Sequence, residues 1–228
     1  MGQKKYHGRR AGAFIFDLDG TLIDSGADIA ASANFARGHF DLPPLPDATI
    51  ISHVGDGVRM LMTRLLAVGD VPVDEERIAE AVNVFRDHYG RHCLDQTTLF
   101  PGVLATLLRF RAVPLTVATN KPRRFTLQIL DGLHVADAFR RVVAGDDVPH
   151  QKPDPMHLRA CLEGLDVPPA EVVVVGDHPN DIQGARAIGA LAVGVTYGLT
   201  PAGLIRAARP DLVIDSFADL AELFPSRG

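Results

Sequence analysis

The sequence predicts an α/β protein built on a doubly wound, Rossmann-like parallel sheet, with an α-helical segment inserted after the first strand. Three observations carry this. Short apolar runs recur that stop abruptly at a polar residue: GAFIF before Asp17, PLTVA before Thr119 and VVVVG before Asp177. Each is followed by a stretch readable as helix, so strand and helix alternate as in βαβ units. Between about Ser25 and Thr98 the alternation lapses and only helical periodicity remains.

Taken in order, residues 12–16 read as a buried parallel strand, because a strand covered on both faces is apolar throughout rather than alternating. The segments ADIAASANFARGHF, VRMLMTRLLAV and DEERIAEAVNVFRDHYG then read as helices, separated by LPPLP at 42–46 and VGDG at 54–57. Pro101-Gly102 restarts the strand–helix order. It continues through PLTVATN, a weaker RVVAGDD at 141–147, EVVVVGD at 171–177, LAVGVTYG and DLVID to a terminal helix ending near Phe224. The expected organisation is an α/β core made of 1–24 and 99–228 and a helical domain over 25–98. Ligands of such sheets sit at the carboxyl ends of the strands, where Asp17, Thr119 and Asp177 would all lie.

Composition excludes several classes of partner. No apolar run approaches the ~20 residues of a membrane span, and the mean hydropathy is +0.10. A net charge of −5 and a pI near 6.0 give no field for nucleic acid. The one dense basic run, Lys4, Lys5, Arg9 and Arg10, reads as a solvated tail without the apolar stretch of an export signal, so a cytoplasmic location is expected. Cys93 and Cys161 lack metal-type spacing and fit a reducing compartment as half-buried thiols. The expected assembly is a monomer or a homodimer.

DLDGTL at 17–22 is the central chemical signal. Asp17, with an ordinary pKa of ~3.9, is ionised at neutral pH and suits nucleophilic attack. Its repulsion from a phosphate would be relieved by a hard divalent cation such as Mg²⁺. Asp19 can protonate a leaving oxygen and then deprotonate a water. A polar turn capping the strand is the alternative reading. GDHPND at 176–181 adds Asp177 for the metal and Asp181 to orient it, with Pro179 at the next helix start. Thr119 and Asn120 can bind phosphoryl oxygens, or Thr119 can cap the helix near Pro122. Lys152 stands out because the chain has four lysines against nineteen arginines, two of the lysines being in the N-terminal tail. It reads either as a point charge for a phosphoryl group or as a solvated surface lysine.

In this order, DxDGT, a strand ending in Thr, a Lys and GDxxxD resemble the haloacid dehalogenase-like superfamily, from Gly12 to Phe224. The resemblance implies the core fold of that superfamily, with Asp17 as nucleophile, Asp19 as acid/base, and Thr119 and Lys152 as phosphate binders. Gly20, Thr21 and Asn120 would lie beside the substrate. It implies Mg²⁺ held by Asp17, the Asp19 backbone carbonyl and Asp177, with Asp181 behind them, and a helical cap at 25–98 that closes over the site. Dehalogenases of the superfamily lack the second aspartate. Its phosphonate hydrolases use a cap lysine, and 25–98 contains none. Its phosphosugar mutases carry an early histidine where this chain has Ile29, and a cap lysine.

What remains is a phosphatase for a small phosphate ester, working through a phospho-aspartate. Within that group, FDLDGTLIDS, HVGDGVRMLM, ATNKP, AGDDVPHQKPDP and GDHPNDIQGARAIGA resemble the bacterial phosphoglycolate phosphatases. A substrate carrying a carboxylate would call for a cation or amide donors in the cap, for which Gly55, Gly57 and Arg59 are the candidates. Arg59 reads equally as a solvated helix residue. A phosphosugar or pyrophosphate substrate, or a binding protein without turnover, are the competing readings. His178 stands where many relatives have a small hydroxyl residue, and it receives no catalytic role.

Overall fold

The structure, a computed structural model, describes residues 10–68 and 73–224; Lys4, Lys5 and Arg9 of the basic run lie outside the described residues. Six strands form one parallel sheet. They are β1 (Ala13–Phe16), β4 (Leu115–Ala118), β5 (Arg141–Val143), β6 (Val172–Gly176), β7 (Leu191–Val195) and β8 (Leu212–Ile214), in the order β5-β4-β1-β6-β7-β8. Phe16 on β1 pairs with Val117 on one side and Val175 on the other, which makes β1 central. The chain builds outward from β1 to β4 and β5, then returns to lay β6 on its other side. Strand order reverses there, and this is where a doubly wound sheet opens a crevice for ligands.

The period of two along β1 sorts its side chains between two helical layers. Phe14 and Phe16 face Phe110, Phe217 and Phe224, with the Phe14 and Phe110 rings stacked at 4.6 Å. Ile15 faces the other way. It joins Val174, Leu158, Ile182 and Ala185, the last three from helices α7 (Pro155–Leu162) and α8 (Pro179–Ile188). All four residues of β1 are buried, the reason that its sequence is a continuous apolar run. Helix α8 begins on Pro179, as the sequence suggests.

Between Asp24 and Thr98 the chain is helical: α1 (Gly26–Gly38), α2 (Asp47–Ile51), α3 (Gly57–Ala67) and α4 (Glu75–His92). Where this segment leaves and rejoins the sheet, two two-residue strands pair antiparallel, β2 (Ile23–Asp24) with β3 (Thr98–Leu99). Two residues cannot show a period, so neither these strands nor the five-residue α2 were legible. The remaining helices are α5 (Val103–Arg109), α6 (Arg123–Gly132), α9 (Ala202–Ala207) and α10 (Asp219–Leu223). Buried Asp28 of α1 tethers the rejoining chain by accepting from the backbone N–H groups of Gln96 and Thr97 and from the Thr97 hydroxyl at 2.7 Å.

Among the described residues, Arg37 is the largest fully buried side chain. It donates to the carbonyls of Pro43 and Val68 at 3.0 and 3.1 Å and to Leu65 O, so it satisfies carbonyls at the end of α3 that have no partner within the helix. Replacing it with methionine keeps most of the volume and removes every donor. Arg37→Met is therefore expected to cost about 2–4 kcal/mol, with Arg37→Lys recovering part of it. The shift of a urea unfolding midpoint measures this, and an unchanged midpoint would show those carbonyls satisfied without Arg37.

Cys93 and Cys161 are free and fully buried, rather than half-buried as the sequence suggests. Among the described residues, no helix is long and apolar enough to cross a membrane.

Candidate active site

Asp17 is the first residue beyond β1. Its N–H still bonds to Val175 O at 2.9 Å, so the sheet itself aims it. Its Oδ1 accepts from the Leu18 N–H at 2.7 Å and lies 2.8 Å from Lys152 Nζ. Both donors grip one oxygen, and the carboxylate lines the cavity. Lys152 is 5% exposed and spends its three ammonium protons on Asp17, on Asp181 Oδ1 at 2.7 Å and on Ala118 O at 2.6 Å. The surface-lysine reading is thereby excluded. Asn120 brackets the same lysine through its backbone: Oδ1 accepts from Lys152 N at 3.0 Å, and Nδ2 donates to Lys152 O at 3.1 Å.

Asp177 follows β6. Its Oδ2 accepts from the N–H groups of Leu199 and Thr200 at 2.8 and 3.1 Å, two contacts that sequence reasoning missed because the donors are backbone. Asp181 has both oxygens engaged, Oδ1 by Lys152 and Oδ2 by the His178 N–H at 3.0 Å. Carboxylate oxygens of Asp17, Asp177 and Asp181 lie within 4.8 Å of one another. Burial, set against the Lys152 charge and reinforced by Asp181 and Asp19, pushes the Asp17 carboxyl up to about 6. Asp177 is driven well above the carboxylate range, first by burial and then by Asp17 and Asp181. Burial alone would lower the pKa of Lys152, but the two carboxylates outweigh it and hold the ammonium above its ordinary value.

Three buried acids around one ammonium leave uncompensated negative charge, and all their ligand atoms are hard oxygens. That is the donor set a divalent cation such as Mg²⁺ takes. Gly20 permits it: its φ is +81°, and a Cβ there would lie 2.1 Å from Asp177 Oδ2. The glycine of DLDG thus acts by letting Asp177 approach.

Asp19 carries the other charge pair. Its carboxylate receives Lys121 Nζ at 2.8 and 3.1 Å and the Ser25 hydroxyl at 2.5 Å. Lys121 is buried, with its ammonium 4.6 Å from the centroid of the Tyr89 ring. Burial opposes its charge, and Asp19 more than offsets that, so the ammonium is held above its ordinary pKa. Sequence reasoning passed over Lys121, although the scarcity that singled out Lys152 applied to it equally. Thr119 Oγ1 accepts from Lys121 N at 3.2 Å, while α6 starts behind Pro122 without a side-chain cap. Thr119 therefore does not cap that helix.

The cavity over these groups is roofed by the helical segment, chiefly Ile29, Val58, Leu61, Phe85 and Tyr89, with Gly55 and Gly57 at its rim. The 54–57 loop is fastened to the core. Gly55 O accepts from Asn120 Nδ2 at 2.9 Å, and Asp56 Oδ1 from Asn180 Nδ2 at 2.9 Å. His178 is half-buried, accepts from Asn180 N at 3.3 Å and packs under this loop, where a Cβ on Gly55 would come within 2.6 Å of its ring.

The structure thus gathers Asp17, Asp19, Thr119, Asn120, Lys152, Asp177, Asp181, Gly55 and Gly57 around one cavity. Three expectations need correction. Arg59 is 57% exposed at its side chain and paired with Glu75 outside the cavity, because the α3 face turned inward runs through Val58 and Leu61. Thr21 is buried behind the DLDG loop, its hydroxyl without a partner among the described residues and its carbonyl accepting from the Tyr197 hydroxyl at 3.0 Å. Asn120 lines the cavity, but its amide is committed to Gly55 and Lys152, so it joins the cap loop to the lysine loop rather than offering itself to a ligand.

Comparison with known proteins fits this arrangement. Residues 14–195 match the family described as haloacid dehalogenase-like hydrolase. The chain is 39% identical over 221 residues to a phosphoglycolate phosphatase of Chromobacterium violaceum, across 92% of this chain and 95% of that one. It is 36% identical over 224 residues to the phosphoglycolate phosphatase of Escherichia coli, across 90% and 89%. Its fold superposes with a TM-score of 0.88, at 29% identity, on the crystal structure of a predicted phosphoglycolate phosphatase from Haemophilus somnus, covering 93% of this chain and 97% of that one.

Proposed function

The chain is an enzyme of the haloacid dehalogenase-like hydrolase family, and within that family we propose that it is a magnesium-dependent phosphatase acting on 2-phosphoglycolate. The observation that carries the reading is Asp17 at the strand end, held through Oδ1 by Leu18 and Lys152 and lining the cavity beside Asp177 and Asp181. A Mg²⁺ ion held by Asp17, Asp177 and the Asp19 carbonyl would supply positive charge against the phosphoryl oxygens. Asp17 Oδ2 attacks phosphorus, the ester P–O bond breaks, and Asp19 gives its proton to the departing oxygen. Asp19 then takes a proton from water, which attacks the phospho-aspartate and returns Asp17 as a carboxylate with release of phosphate. Lys152 keeps Asp17 oriented through both steps, and the hydroxyl of Thr119, which lines the cavity, would bind a phosphoryl oxygen. The helical segment at 25–98 serves as the cap, fastened through Gly55 and Asp56, and keeps bulk water from the acyl phosphate.

The substrate reading rests on the relatives' named activity together with the cavity walls. Their cap side is apolar, whereas a phosphosugar would need polar partners for several hydroxyls.

Phosphate release from a panel of phosphate esters with Mg²⁺ tests this. The expected result is a higher kcat/KM for 2-phosphoglycolate than for phosphosugars or pyrophosphate, and no release once the metal is chelated. Asp177→Ala should raise the Mg²⁺ requirement by at least about tenfold. Equal rates across the panel would retire the substrate assignment, and an unchanged metal titration would remove Asp177 from the metal site.

A further inference from the structure

With Arg59 outside the cavity, the anionic end of a small phosphorylated acid lacks its expected partner. Two lysines line the cavity. Lys152 is fully occupied by Asp17, Asp181 and Ala118 O, all on the nucleophile side. Lys121 lies on the opposite, leaving-group side, because its ammonium is bonded to Asp19, the group that protonates the departing oxygen. A second observation points to the same place. Tyr89 of α4 lines the cavity and has Lys121 against its ring, yet among the described residues its buried hydroxyl finds no acceptor for its proton. Buried polar groups are nearly always paired, so an orphaned hydroxyl beside an ammonium marks a missing acceptor, and an acceptor beside an ammonium is best served by an anion.

We infer that Lys121 and the Tyr89 hydroxyl together form the seat for a carboxylate on the leaving group of the substrate. The connectivity of such a substrate agrees. In a 2-phospho acid a single carbon separates the leaving oxygen from the carboxylate carbon, so a leaving oxygen held at Asp19 puts the carboxylate next to whatever already touches Asp19. Lys121 does. The seat draws one group from the core and one from the cap, so a carboxylate bound there bridges the two. Phe85 and Phe125, which stack on Tyr89 or meet it edge-on at 5.3 and 5.2 Å, hold the phenol in place and exclude water around the pair.

This inference rests on the phosphatase reading, and its test separates the two. The measurement is kcat/KM for 2-phosphoglycolate and for ethyl phosphate, which has the same two-carbon skeleton without the carboxylate, in the wild type, Lys121→Met and Tyr89→Phe. Lys121→Met also frees Asp19, so both substrates are expected to slow, but the preference for phosphoglycolate should fall by a further factor of about ten to a hundred. Tyr89→Phe removes one oxygen and leaves the ring over Lys121. It should raise KM for phosphoglycolate about three- to tenfold, a larger change than it makes to KM for ethyl phosphate. Competitive inhibition by glycolate should weaken in both variants, a readout independent of their turnover.

Equal losses on both substrates would overturn the inference and make Lys121 a positioning residue for Asp19 alone. So would a preference abolished by Arg59→Ala instead. A wild type that hydrolyses both esters without preferring the acid would remove the seat and leave the phosphatase reading standing. Hydrolysis of neither would end both.

Discussion

Asp17→Asn should lower kcat by about 10⁴-fold or more while leaving the fold intact, because a carboxamide has the shape of the carboxylate and almost none of its nucleophilicity. The remaining contacts tolerate the change: the amide oxygen can still accept from the Leu18 N–H and from Lys152. It also removes one of three acids packed within 4.8 Å, so the metal-free variant should unfold at an equal or higher temperature than the wild type. Phosphate release and thermal unfolding measure the two halves. In the wild type, an acid-quenched reaction should leave phosphate on the peptide containing Asp17. A phosphoryl group trapped on any other residue, or turnover by the variant near wild-type rate, would refute the assignment.

Loss of the Lys152 ammonium should be nearly as damaging and, unlike loss of Asp17, should destabilise the protein. Lys152→Met leaves Asp17, Asp181 and Ala118 O buried together without their shared donor. Removing one partner of a buried charged network typically costs about 3–5 kcal/mol, since the remaining charges stay desolvated and unpaired. The same deletion unfastens the nucleophile and takes a positive charge from beside the reacting carboxylate, for which a loss of about 10³-fold in kcat is expected. Lys152→Arg should not rescue activity, because a flat guanidinium cannot converge on three acceptors arranged around a point charge. Mg²⁺ should recover part of the lost stability, since it too neutralises the acids. Unfolding midpoints with and without Mg²⁺, set beside the rates, check this. A Lys152→Met protein as stable and active as the wild type would return Lys152 to an ordinary structural residue.

The sequence by itself determined the sheet and the acids that the sheet delivers. Strands of a parallel sheet covered on both faces are apolar without interruption, and each ends where the next backbone carbon reaches the open edge, so GAFIF-Asp17 and VVVVG-Asp177 announce both strand and site in one string. Lys152 was legible because lysine is scarce in this chain. Residues whose role depends on how a helix is turned were not. Arg59 lies one position from Val58, which faces the cavity, and the 100° that separates successive helix residues sends it to solvent and to Glu75.

Tyr89, four residues after Phe85, reads as a core residue of α4, and it is one. Only the approach of α4 to the core shows that its ring meets the Lys121 ammonium and that its hydroxyl is left without an acceptor among the described residues. The contact between Lys121 and Asp19 spans 102 positions. The bracket from Asn120 to Gly55 and Lys152, and the backbone donors to Asp177, are likewise long-range bonds that leave no local pattern. Periodicity and strand ends record what a segment does with its neighbours in sequence. The tertiary structure alone decided the pairing of distant polar groups, because burial forces each to find a partner wherever the fold brings one.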